Sequence, residues 1–148
     1  MVEGLPFKIT SCDEPKSYVS KDQDGDVIYI NRNWMRMLPS GGENFLMIPA
    51  LNGEVNAVSF QNQSDTNLFL RHKGFKILLE KFADENGFKD DVSFYPRHST
   101  YCETGVMYEC CNIPNYYVTI GRFGLIIANF ENTTEEVVTF QLELQKNE

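Results

Sequence analysis

Two neighbouring residues and one more distant residue could do chemistry together in this 148-residue chain: Arg71-His72, and Asp91 three positions before Phe94. A carboxylate accepts hydrogen bonds and an imidazole donates or accepts them. With an aromatic ring such as Phe69 alongside, the set suits a sugar, whose hydroxyls need both kinds of partner and whose apolar face needs a ring. His72, Asp91, Phe69 and Arg71 are therefore the candidate carbohydrate-binding residues. The alternative for His72 and Asp91 is a bond to each other or to a turn backbone.

Those residues need elements to carry them. Apolar positions alternate at Phe75, Ile77 and Leu79 and again at Val92 and Phe94, the period of half-buried strands. The layout repeats. Ile9, Phe60 and Tyr108 each precede an aromatic residue by nine positions (Tyr18, Phe69, Tyr117), and an aliphatic one follows each time (Val19, Leu70, Val118). Pro15 and Pro114, and Ser64 to Asn67 in the middle copy, mark a polar turn between the landmarks, so a short hairpin fits. Further apolar runs follow at Val27–Ile30, Phe75–Leu79 and Leu125–Ile127, then at Phe45–Ile48, Val92–Phe94 and Val138–Phe140. The period predicts three units of about four strands, near residues 5–52, 56–99 and 104–144 of a single domain spanning 1–148. Leu78–Glu85 is the best helical candidate. The expected class is all-β, a sheet of short strands closed on itself.

Composition agrees with a packed domain: 42% of residues are hydrophobic and 13% aromatic, too many for a disordered chain. Net charge is −8, with 21 acidic residues against 13 scattered basic ones. That balance disfavours nucleic acid and anionic membrane surfaces, which need a basic patch. No apolar run is long enough to span a bilayer and the N-terminus does not read as a signal peptide, so the expectation is a cytoplasmic protein if full length and an extracellular one if trimmed. Four cysteines, Cys12, Cys102, Cys110 and Cys111, have no metal-site spacing and are expected as free, buried thiols. Cys102 could reach Cys110 across a hairpin, but pairing does not follow from sequence. Two sequons, at Asn62 and Asn132, matter only in the secretory pathway.

Other features read more plainly. Ser20–Asp26 is an acidic turn without the bidentate Glu of a calcium loop, hence a solvated Asp-Gly hairpin turn. Trp34 is expected to cover one end of the core, and with Met35 and Met37 it could form a protein-binding patch. No nucleophile elbow, HExxH or phosphate-cradling glycine loop accompanies His72 or His98, so neither an enzyme nor a cofactor is expected.

The middle unit resembles a known family. Ser59-Phe60, Phe69-Leu-Arg-His72, Phe75–Leu79 and Phe88-Lys-Asp-Asp91-Val-Ser-Phe94 are similar to the repeat of the arabinofuranosidase B carbohydrate-binding domain, a β-trefoil that binds arabinofuranose side chains. The resemblance implies a β-trefoil over the whole chain and a sugar pocket in the second repeat, where the family's His and Asp fall on His72 and Asp91. Repeat three keeps Pro114, Tyr116 and Tyr117 but has Thr119-Ile120 and Val137 at the other family positions. Repeat one has Ser20-Lys21 in place of Arg-His. The third repeat also resembles interleukin-1-type cytokines, another β-trefoil family. Two functions follow: a lectin-like protein binding an arabinofuranose-containing or other oligosaccharide, or a module for an unidentified protein partner using Trp34, Met35 and Met37 or the Tyr116-Tyr117 hairpin.

Overall fold

The computed structural model describes residues 4–12, 17–21, 27–30 and 42–145. Twelve strands run in order: β1 Phe7–Ser11, β2 Tyr18–Lys21, β3 Val27–Ile30, β4 Phe45–Pro49, β5 Val58–Asn62, β6 Leu68–Lys73, β7 Lys76–Lys81, β8 Phe94–His98, β9 Val106–Cys110, β10 Tyr116–Ile120, β11 Leu125–Asn129 and β12 Phe140–Leu144. One-turn helices α1 (Phe88–Asp91) and α2 (Glu135–Val138) precede β8 and β12.

Six strands close a barrel. The antiparallel pairings β1–β4, β4–β5, β5–β8, β8–β9, β9–β12 and β12–β1 return to their starting point. The other six form three hairpins, β2–β3, β6–β7 and β10–β11, each joined to the barrel through its first strand. Each set of four consecutive strands thus gives two barrel strands and one hairpin. This threefold plan is a β-trefoil, and closure leaves the barrel without edges.

The repeated landmarks explain why the chain folds this way. Ile9, Phe60 and Tyr108 lie at corresponding places on β1, β5 and β9 and are buried. Phe45, Phe94 and Phe140 open the closing strands and are also buried. Their rings meet in the barrel, with Phe60 edge-on to Tyr108 at a centroid distance of 5.0 Å. Because alternate side chains of a strand face opposite sides, each landmark turns one face of its strand inward.

Several expectations change. Phe75 does not continue the β7 alternation: it sits in the β6–β7 turn at φ 65° and is 58% exposed. Leu78–Glu85 is not helical, since Leu78 to Lys81 pair with β6. The fold spends its helical turns at α1 and α2 instead, so the closing strands begin at Phe94 and Phe140 rather than at Val92 and Val138. Cys12 and Cys102 are not free; they form a disulfide between repeats one and three. Local spacing cannot reveal a bond between residues 90 positions apart. Cys110 and Cys111 carry free thiols. Asn62 of the first sequon is buried, donating to Glu43 and accepting from the Asp65 amide, whereas Asn132 of the second is exposed. Trp34, Met35 and Met37 and most of the acidic turn lie outside the described residues.

Candidate functional site

Strand β6 is buried on both faces, and that places the site. Leu70 points into the barrel core. The opposite face, with Phe69 and Arg71, is covered by α1, whose Phe88 is fully buried. Phe88 packs edge-on to Phe69 at 6.4 Å and takes the Arg71 guanidinium over its ring at 4.9 Å. Phe69 is only 5% exposed, so its ring belongs to this small second core with Phe88 and Val92 and offers no face to a ligand.

Arg71 is the hub. Its Nε and Nη2 donate to Asp91 Oδ2 at 3.1 and 2.9 Å, and its Nη1 donates to Glu80 and Glu85 at 3.2 and 2.9 Å. Burial works against the Arg71 charge, but the bonds to Asp91, Glu85 and Glu80 together hold the guanidinium above its ordinary value. Asp91, at the end of α1, is thereby aimed with Oδ1 toward His72, whose Nε2 stands 3.5 Å away. Asn112, in the turn before β10, closes the set: its Nδ2 donates to Asp91 Oδ1 at 2.8 Å and its Oδ1 meets His72 Nε2 at 2.7 Å. Since a carboxylate only accepts, the amide nitrogen must face Asp91, and the His72 proton sits on Nε2. His72 is 5% exposed, with its ring edge-on to Phe94; Asn112 is exposed. The arrangement can present one donor and one acceptor to a polar ligand at the rim.

Glu80, Glu85 and Asn112 carry no signal as isolated residues. Glu80 was legible only through register: it pairs with Phe69 across the hairpin, diagonal to Arg71. Asn112 comes from the next repeat.

The other two repeats lack the set. In repeat three Thr119 is buried with its hydroxyl donating to the Tyr117 carbonyl, and Val137 stands where Asp91 does. In repeat one Ser20 is buried, Lys21 is exposed and Gly42 holds the Asp position, where a Cβ would lie 2.8 Å from Tyr18 Cβ. Tyr116 and Tyr117 are half-buried, tilted against Phe75 at 6.0 Å and Phe130 at 5.3 Å. Among the described residues, no group of three His, Cys, Asp or Glu could hold a metal ion, and no helix is long and apolar enough to cross a membrane.

Solved structures share this plan. An arabinofuranosidase complexed with arabinofuranosyl-alpha-1,2-xylobiose superposes with a TM-score of 0.76 at 16% identity, over 97% of this chain and 31% of that one. The BEL β-trefoil matches with a TM-score of 0.70 at 10% identity, covering 98% and 96% of the two chains. SeviL bound to asialo-GM1 saccharide matches at 0.67 and 9% identity, over 93% and 95%. This chain spans about a third of the length of the arabinofuranosidases it matches. No curated protein sequence matches it. Fold and sequence together define a β-trefoil domain. Within that class the chain belongs to the alpha-L-arabinofuranosidase B (ABFB) domain family, which matches it over residues 7–142.

Proposed function

We propose that this protein is a lectin-like, non-catalytic carbohydrate-binding protein that takes a glycan at the second repeat, through His72 and Asp91. One observation carries the reading: His72 Nε2 and Asp91 Oδ1 converge at 3.5 Å, with Asp91 held from behind by Arg71. A fixed donor beside a fixed acceptor matches the hydroxyls of a sugar, and pre-organisation limits the entropy lost on binding. Family membership favours an arabinofuranose-containing oligosaccharide. Phe69 is buried and offers no ring to a ligand, so recognition through His72 and Asp91 is polar.

The test is a glycan array that includes arabinofuranosyl oligosaccharides, probed with wild type, His72→Ala and Asp91→Asn, each first shown to melt cooperatively. The expected result is a specific hit lost in both variants. A hit untouched by either would move the site elsewhere, and no hit at all would overturn the carbohydrate reading.

A second reading, a protein-binding module, rests on the hairpin tips. Phe123 is 88% exposed, with the Arg122 guanidinium 5.4 Å from its ring, and Phe75 is 58% exposed. Exposed aromatic and Arg side chains are favoured at protein interfaces. It predicts a partner captured by wild type and His72→Ala but not by Phe123→Ser.

A further inference from the structure

We infer that Asn112 is a built-in occupant of the repeat-two pocket, an amide holding the place of two adjacent sugar hydroxyls until a glycan displaces it. The inference rests on the carbohydrate-binding reading above. Asn112 gives Asp91 Oδ1 a donor at 2.8 Å and offers His72 Nε2 an acceptor at 2.7 Å. One rigid group thus satisfies both site residues at once. Adjacent hydroxyls of a sugar can do the same, one donating to the carboxylate and its neighbour accepting from the imidazole. Asp91 Oδ2 is already taken by two Arg71 nitrogens, so ligand and amide compete for Oδ1.

The placement of Asn112 suits an occupant that leaves. It belongs to the turn before β10, on repeat three, whereas His72 and Asp91 belong to repeat two. His72 is 5% exposed and the Asp91 side chain 18% exposed, but Asn112 itself lies at the surface. A rotation of one exposed side chain therefore opens the pair without moving the backbone. Binding exchanges the amide's two hydrogen bonds for the sugar's, so the net gain is small. Any ligand must also supply both a donor and an acceptor. A hydroxyl both donates and accepts, so a ligand that places no hydroxyl against the pair leaves His72 and Asp91 unsatisfied, and Asn112 acts as a gate that yields only to a group able to do both.

Two measurements test this. In ligand-free protein, NMR of the side-chain amides should show the Asn112 NH2 protected from exchange relative to other exposed asparagines, and the His72 Nε2–H signal visible and lost in Asn112→Ala. An Asn112 amide exchanging freely overturns the inference without reference to any sugar. Titration of an arabinofuranosyl oligosaccharide should then give Asn112→Ala a Kd about tenfold lower than wild type. Equal affinity in the two proteins, or weaker binding by Asn112→Ala, overturns the gate while leaving the carbohydrate reading intact. Absence of binding by both proteins overturns that reading, and the gate with it.

Discussion

Arg71 grips Asp91 with two nitrogens on a single oxygen, Nε at 3.1 Å and Nη2 at 2.9 Å from Oδ2. This fork ties the inner face of α1 to the outer face of β6, and the same guanidinium also forms ion pairs with Glu80 and Glu85. Removing it leaves three carboxylates facing one another over a buried ring. Arg71→Met should destabilise the fold by roughly 3 kcal/mol, measured by urea denaturation. Arg71→Lys should recover only part of this, because an ammonium cannot reproduce the fork.

Burial pushes the Cys110 thiol from its ordinary 9.0 up to about 12, with smaller contributions from Cys111 and Glu109. Burial also raises Tyr108 in the same core. In the unfolded chain the Cys110 thiol ionises from pH 9.0, whereas in the fold it stays neutral to about 12. The Cys110 contribution is therefore fully present below pH 9 and is lost as pH climbs from 9 to 12, by up to about 4 kcal/mol. Chemical denaturation at pH 8 and pH 11 should show a smaller difference in Cys110→Val than in wild type. Iodoacetamide at pH 8 should label Cys111, which is half-buried, well before Cys110.

The disulfide between Cys12 and Cys102 closes a loop across 90 positions and joins β1 to the segment before β9. Loop-closure entropy predicts about 4 to 5 kcal/mol from a cross-link of this span. Reduction, or Cys12→Ser with Cys102→Ser, should lower the melting temperature while leaving the far-ultraviolet spectrum of the folded protein unchanged. A melting temperature indifferent to reductant would show that the bond does not form in solution.

Phe94 and Phe123 make a paired control, since one is 1% and the other 88% exposed. Phe94→Ala empties part of the barrel and should cost about 3 to 5 kcal/mol. Phe123→Ala should change stability by no more than about 0.5 kcal/mol. Thermal and urea unfolding of the two variants check both values.

What was legible in the sequence was the pattern that local physics imposes. Ile9, Phe60 and Tyr108, with Val19, Leu70 and Val118 after them, recur at one spacing because each strand turns alternate side chains to one core. Threefold architecture followed from that recurrence, without any knowledge of which strands pair. Phe75 misled the pattern because its apolar side chain fits the alternation while its backbone, at φ 65°, belongs to a turn. Leu78–Glu85 misled it because Leu78 to Lys81 satisfy their backbone groups across a hairpin to β6.

The site divides along the same line. By itself the sequence determined the residue types: an Arg-His pair on one element, an Asp ahead of Phe94, and a family likeness whose Arg-His and Asp positions are kept in the middle repeat. Tertiary structure alone decided that Phe69 faces Phe88 instead of a ligand, that Glu80 and Glu85 share Arg71 with Asp91, that Cys12 meets Cys102, and that Asn112 reaches in from the next repeat. The reason is physical. Periodicity reports which way a side chain faces within its own strand, whereas barrel closure, the packing of α1 on β6 and the reach of a turn are set by contacts between residues far apart in the chain.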